Sequence, residues 1–209
     1  MARQFTPFTV RADGLSGKKA FQFEASVLGT LHALDSIPTG RVLMDGFRKV
    51  GKEVLIFPYD GSQGKCNAYA YGDWGMFRNK VSYSPEGWFA TSPCFKSGPA
   101  GAAAIEILFH ELVHALRFAA KTMNKHVTDE QEEEIAILVT NLFASQTHRP
   151  LRWNHSGFAK LPNNDPVTFY GRNLKLIDIF CRQHPALTMG LARLDVEFNP
   201  LREYYDRER

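Results

Sequence analysis

The stretch that decides the interpretation of this chain is 107-ILFHELVHALRFAA-120, which carries His110, Glu111 and His114 among apolar residues. An α-helix turns once every 3.6 residues, so side chains at 110 and 114 project from one face, a turn apart. Two imidazoles placed in this way can hold one metal ion, and Glu111 would lie beside the position of a bound water. The stretch therefore matches the HExxH pattern, in which the glutamate acts as general base in hydrolysis.

Two observations argue against a chance match. A shuffled chain of this composition would contain the pattern only about once in a hundred sequences, a rough estimate for a motif of this kind. The surrounding helix also carries a core-packing surface made of Ile105, Leu108, Phe109, Leu112, Leu116 and Ala119. Both imidazoles should therefore be buried, where an unpaired polar group is unfavourable and a metal ion would satisfy it. We interpret His110 and His114 as ligands of zinc.

A catalytic zinc ion takes three protein ligands and leaves one position open. Extended forms of the motif place Gly three residues after the second histidine and His or Asp three residues later, but this chain has Arg117 and Ala120 there. Those classes are excluded. The acidic helix 129-DEQEEEIAILVTNLFASQ-146 follows at a suitable distance and is the predicted source of the third ligand.

Helical phase narrows the choice among three consecutive glutamates in that helix. Glu132 shares a face with the apolar core stripe, Glu133 shares a face with small and polar residues, and Glu134 fits a core edge or a cap. The helix dipole alone favours acidic residues in a first turn, which accounts for most of the cluster. We expect one of Glu132 and Glu133 to bind the metal and the other to hydrogen-bond a ligand histidine.

Hydrolysis also requires a group that stabilises the oxyanion of the tetrahedral intermediate. The loop 149-RPLRWNHSGF-158 offers Arg152 and His155 for this role, with Tyr83 and Tyr170 as weaker candidates. The strand NKVSYS, which precedes the metal helix by one loop, is a candidate substrate edge because zinc peptidases bind extended substrate along a strand. The remaining histidines are expected to be structural or solvated; they are His32, His126, His148 and His184.

Composition bounds the other possibilities. The 209 residues, 44% of them hydrophobic, suffice for one folded domain, and a net charge of +3 gives no basic stripe of the kind that binds nucleic acid. No apolar run reaches the length of a membrane span, and the N-terminus lacks the apolar core of a secretory signal. We therefore expect synthesis in the cytoplasm and, if the protein acts elsewhere, secretion without a cleaved signal. Cys66, Cys94 and Cys181 form no paired motif and should be reduced.

Hydrophobic periodicity and turn residues predict an α+β protein. The predicted order is a flexible N-terminal arm over 1–20, then one domain over 21–209 with a small N-terminal sheet, the metal helix and a helical C-terminal half. The predicted elements are helices over 21–37 and 41–50, strands at 53–59, CNAYAYG and NKVSYS, helices over 102–122 and 129–145, and a helical remainder with proline breaks.

The motif and its surroundings resemble the NleD-like effector zinc metallopeptidases, which are zincins with a glutamate ligand. The resemblance rests on HELVHALR followed by an EE pair opening the next helix, with support from IPTGRVLMDGF, NKVSYSP and LVTNLFASQ...LRWNHSGF. It covers roughly residues 20 to 200 and is strong from about 105 to 160. It also extends to toxins of bacterial secretion systems.

The resemblance implies a zincin-like fold and a zinc endopeptidase that cleaves a protein in a host or competitor cell. His110 and His114 would be ligands, Glu111 the base, and the first glutamate of the pair, Glu132, the third ligand. This chain has three consecutive glutamates, so the register remains open. A secretion-system component or an immunity protein is a further possible partner.

Two alternatives keep the metal but change the function. In the first, the domain is a protein-binding module with a structural zinc, although such a site has no need of the base Glu111. In the second, the domain is a metallohydrolase that acts on a non-peptide amide or a cell-wall substrate. Replacement of Glu111 tests the first, and chelator-sensitive cleavage of proteins tests the second.

Overall fold

The computed structural model describes residues 3–60, 67–73, 78–88, 100–155 and 158–207. Its sheet has five strands in the order β1-β2-β3-β5-β4. The strands are β1 (Arg3–Phe5), β2 (Phe8–Val10), β3 (Val54–Phe57), β4 (Tyr69–Asp73) and β5 (Arg78–Ser82). The two outer pairs are antiparallel, while β2, β3 and β5 run parallel.

The position of β5 in the sheet corrects one expectation. The NKVSYS segment is a candidate substrate edge by its sequence, but β5 lies inside the sheet, with β3 on one side and β4 on the other. Its backbone groups are already used in pairing with both neighbours. Among the described strands, β4 forms the edge on this side of the sheet.

The N-terminal residues also differ from the expected flexible arm. Residues 3–10 form β1 and β2, and β2 pairs with β3 so that Val10 lies opposite Ile56. Phe8 and Val10 are buried in the core, which gives the segment a reason to be ordered. Strands of three residues carry too short a hydrophobic pattern to be recognised without their partner.

Within the described residues, seven helices complete the α+β fold that the sequence predicts. They are α1 (Gly17–Ser36), α2 (Pro38–Val50), α3 (Ala104–Ala119), α4 (Asp129–Gln146), α5 (Pro166–Gln183), α6 (Pro185–Ala192) and α7 (Pro200–Arg207). A short 3₁₀ turn, Pro85–Trp88, follows β5. None of the helices in the described ranges is long and apolar enough to cross a membrane.

The helix α3 lies at the centre of the fold, in contact with α2, α4 and the strands β4 and β5. Thirteen of the fourteen residues from Glu106 to Ala119 are buried. The rings of Phe109 and Phe143 stack at 4.8 Å between their centroids and join α3 to α4. This packing presents one end of α4 to the polar face of α3.

Cys181 is free and buried in α5, whereas Cys66 and Cys94 lie outside the described residues.

A tight corner separates α1 from α2. Ile37 has an extended backbone, and Pro38 begins α2 because its fixed φ suits a first helical position. Gly40 then packs against the end of α1: a Cβ atom at this position would lie 2.0 Å from the carbonyl oxygen of Leu34. A glycine is required here by space rather than by backbone conformation.

This contact yields a stability prediction. Helix propensity alone would make Gly40→Ala stabilising by up to about 1 kcal/mol. The clash with backbone should reverse the sign and destabilise the fold by about 1–3 kcal/mol, as overpacking does. Urea denaturation measures the difference. Gly29→Ala in α1 is the matched control, because nothing lies within 4 Å of its added Cβ. Equal effects of the two substitutions would contradict the proposed close contact.

Candidate metal centre

The polar face of α3 carries the three residues of the motif. His110, Glu111 and His114 are 4%, 8% and 4% exposed, so all three are buried. The Nε2 atoms of the two histidines approach to 3.2 Å, and their rings are nearly perpendicular. The helical juxtaposition predicted from the spacing is therefore present. Two adjacent imidazole nitrogens, withdrawn from solvent, face a common point.

The helix α4 brings a carboxylate to that point. Its first turn is capped by Thr128, whose hydroxyl accepts a hydrogen bond from the backbone N–H of Gln131. Glu133, one turn further in, places Oε2 3.0 Å from Nε2 of His110 and 3.4 Å from Nε2 of His114. Its side chain is 30% exposed, so the carboxylate lies at the mouth of the buried pair.

Glu132 points elsewhere. Its carboxylate accepts hydrogen bonds from Nε and Nη2 of Arg117 at 2.6 and 2.8 Å, and from the backbone N–H of Asn124 at 2.6 Å. Both side chains of this ion pair are essentially inaccessible to solvent. The structure thus places Glu133 among the histidines and Glu132 in a separate buried pair.

Sequence reasoning missed the role of Arg117. The residue served only to exclude an extended motif, yet an arginine inside a buried apolar helix must find a carboxylate. Glu132 is that carboxylate, and Phe180 covers the guanidinium at 5.6 Å from its ring centroid. An arginine on the core side of α3 was therefore the signal in the sequence that Glu132 has a structural role as the partner of Arg117.

The buried ion pair gives a second stability prediction. Arg117→Met leaves the Glu132 carboxylate buried without its main partner, and removal of one partner of a buried pair typically costs about 3–5 kcal/mol. We expect a loss of this size in the free energy of unfolding, measured with urea. The double variant Arg117→Met/Glu132→Leu should recover most of it, because no charge is then left buried. A double variant as unstable as the single one would contradict this account.

The spacing of the donor atoms fits a metal ion. Tetrahedral zinc with bonds of 2.0–2.1 Å places neighbouring ligand atoms about 3.3 Å apart. The three separations among His110, His114 and Glu133 are 3.0, 3.2 and 3.4 Å. Two imidazole nitrogens and a carboxylate oxygen are also a ligand set that zinc takes in hydrolases. The residues present could therefore hold such an ion.

Burial and neighbouring charges set the protonation states. Burial lowers the pKa of His110 to about 3, which favours the neutral, metal-binding imidazole. Burial opposes ionisation of Glu133, but hydrogen bonds from His110 and His114 outweigh it and bring the pKa of this carboxyl well below its usual range. Burial would also lower the pKa of His114, whereas the carboxylates of Glu133 and Glu111 raise it overall. The neutral imidazole of His110 beside the ionised carboxylate of Glu133 is a suitable environment for a metal cation.

Glu111 occupies a different environment from Glu133. Burial raises its pKa to about 7, against the lowering effect of His114. The backbone N–H of Ala70 on β4 donates a hydrogen bond to its carboxylate. A carboxylate with a pKa near neutrality is suited to accept and return a proton. The edge strand therefore helps to hold the candidate base.

The loop after α4 brings His155 to the same place. Its Nε2 atom lies 3.4 Å from Oε2 of Glu133, and its ring lies 6.3 Å from that of His110 at an interplanar angle of 21°. His110, Glu133 and His155 each offer a ligand atom, all within 4.8 Å of one another. The His155 side chain is 62% exposed, so it forms the solvent side of the group.

Arg152 supports this loop instead of facing the group. It is only 3% exposed, and its guanidinium donates to the carbonyl oxygens of Asn154 and His155 at 2.8 and 2.5 Å. Asn141 of α4 binds the backbone N–H and carbonyl of Arg152, each at 2.8 Å. Phe158 packs over the guanidinium at 4.2 Å. The side chain is committed to positioning residues 154 and 155.

The other candidates lie outside the group. The buried Tyr83 hydroxyl donates to the carbonyl of Ala104, and Tyr170 packs against Arg207. The remaining histidines were expected to be structural or solvated. His184 bonds to Thr122 and His32 contacts Phe5, while His126 and His148 are exposed.

Comparison with known proteins identifies the family of this chain. The model of the Peptidase M91 family, described as "Effector protein", matches residues 11–142, which include α3 and most of α4. The comparisons with curated proteins and with solved structures found no match. The family match covers well over half of the chain and contains the motif histidines together with Glu133. The chain therefore belongs to the Peptidase M91 family of effector proteins.

Proposed function

We propose that this protein is a zinc-dependent endopeptidase of the NleD-like effector type. The observation that carries the proposal is the meeting of three donor atoms, from His110, His114 and Glu133, beside the buried carboxylate of Glu111. His110 and His114 would hold the ion from α3 and Glu133 from α4. We assign the third ligand to Glu133 because the carboxylate of Glu132 is bound by Arg117 and Asn124.

The chemistry needs one contribution from the ion and several from the chain. A zinc ion at this position would polarise a peptide carbonyl and bring the pKa of an attacking water toward neutrality. Glu111 takes the proton of that water and returns it to the leaving amine, a task for which a pKa of about 7 is suitable. The Ala70 N–H keeps the Glu111 carboxylate oriented during both transfers.

Two further parts of the chain have roles in this proposal. His155 stands opposite α3 on the solvent side and would stabilise the charge that develops on the substrate oxygen. Arg152 acts through His155 as a positioning residue. An extended substrate would add to β4, the edge of the described sheet, because β4 lies beside Glu111.

The effector family suggests where the activity is used. We propose that the protein is delivered into a target cell and cleaves a protein substrate there. A secretion-system component and an immunity protein are further partners in this proposal. The chemistry of the site does not depend on the target cell, on delivery or on these partners.

Incubation of the purified protein with denatured proteins and with a target-cell lysate tests the activity. We expect discrete protein fragments that disappear when a chelator is added and return when zinc is restored. Fragments in both samples at equal intensity with and without chelator would contradict metal dependence. Cleavage of cell-wall material or a small amide, with intact protein in every sample, would favour the hydrolase alternative.

A further inference from the structure

His155 lies closer to the candidate metal position than an oxyanion-stabilising residue needs to be. Its Nε2 atom is 3.4 Å from Oε2 of Glu133, which equals the separation between that oxygen and Nε2 of His114. Neighbouring ligands of tetrahedral zinc are about 3.3 Å apart. The Glu133 oxygen is therefore surrounded by three imidazole nitrogens, those of His110, His114 and His155, at 3.0–3.4 Å.

The position of His155 is built by buried groups. Arg152 is almost completely buried, and its guanidinium holds the carbonyl oxygens of Asn154 and His155. Arg152 is itself held by two hydrogen bonds to the Asn141 side chain on α4, the helix that carries Glu133. One helix thus controls both the Glu133 carboxylate and the loop that presents His155.

We infer that His155 is a fourth protein ligand of the metal in the substrate-free protein. This inference rests on the proposed zinc site and adds a coordination partner to it. Four protein ligands fill a tetrahedral sphere, whereas catalysis requires an open position. The His155 ring must therefore leave the ion when substrate binds, and its 62% exposure leaves room on the solvent side for this movement.

X-ray absorption spectroscopy of the zinc-loaded full chain tests the inference, since multiple scattering from imidazole rings counts histidine ligands. The wild-type protein should show three imidazoles, and His155→Ala should show two. His32→Ala, which removes an exposed histidine of α1, is the matched control and should keep three. Zinc affinity of His155→Ala should fall about tenfold or more, because even loss of a residue that only supports a ligand has an effect of this size.

The outcomes separate this inference from the proposed function. Stoichiometric zinc with two imidazoles in the wild-type protein overturns the fourth ligand and leaves the zinc site intact. A wild-type protein that binds no zinc overturns both. A peptide hydroxamate, which binds zinc through two oxygens, should reduce the wild-type count from three imidazoles to two. A count that stays at three in its presence would overturn the release of His155. The wild-type measurements decide these points even if His155→Ala does not fold.

Discussion

Glu111→Gln should lower the rate of peptide cleavage by about 10²–10⁴-fold, the range that a positioned general base contributes. Glutamine keeps the size of the side chain and can still accept a hydrogen bond from the Ala70 N–H, but it cannot accept a proton at neutral pH. The donor atoms of His110, His114 and Glu133 are untouched. Activity should therefore be lost while zinc content stays at the wild-type level.

The measurement is kcat/KM on a cleaved protein, combined with metal analysis of the same preparation. Glu86→Gln, at an exposed glutamate that is remote in sequence, serves as the control for loss of one negative charge. Retention of full cleavage by Glu111→Gln would contradict the proposed mechanism and favour the binding-module alternative. Loss of zinc along with activity would show that Glu111 is needed for the site itself.

Glu111→Gln also has a predicted effect on the stability of the metal-free protein. Burial raises the pKa of this carboxyl from 4.5 to about 7, so the folded state prefers the protonated form. Its favourable contribution is present below pH 4.5 and is lost as the pH rises through 7. The metal-free variant should therefore gain stability relative to the metal-free wild type between pH 5 and pH 8. A stability difference that does not change with pH would contradict the burial of an ionisable group here.

Glu133→Gln should weaken zinc binding by about 100-fold or more, since it replaces an anionic ligand, and loss of a supporting residue alone costs 10–100-fold. Competition with a chromophoric chelator measures the affinity. Glu134→Gln, the exposed neighbour on the same helix, should bind zinc as the wild type does. These two variants lose the same charge from adjacent residues, so their difference isolates the position of Glu133.

Glu132→Gln completes the comparison. It should keep its zinc and lose stability, because it weakens the buried pair with Arg117 and leaves the metal group in place. The resemblance to the NleD-like proteins implied the opposite register, with Glu132 as ligand. Loss of zinc from Glu132→Gln, together with retention in Glu133→Gln, would restore that register. Denaturation curves of each variant distinguish loss of zinc from loss of fold.

Much of the fold could be predicted because its elements carry long periodic patterns. The helices α3 and α4 were predicted over 102–122 and 129–145 and are observed as Ala104–Ala119 and Asp129–Gln146. The sheet was less accessible. The strands β1 and β2 have three residues each. β2 is stabilised by pairing with β3, more than forty residues away, and β1 pairs in turn with β2. The sequence of a short strand does not indicate which distant strand it pairs with.

The sequence by itself determined which residues of α3 meet, because the spacing of His110 and His114 and the 3.6-residue period are properties of one helix. Only the tertiary structure decided which of Glu132 and Glu133 faces them. Adjacent residues on a helix point about 100° apart, so the answer depends on how α4 packs against α3. Arg117, held in the core of α3, takes the carboxylate of Glu132 and turns Glu133 toward the histidines. The edge position of β4 and the placement of His155 beside Glu133 depend in the same way on contacts between distant segments, which no local pattern predicts.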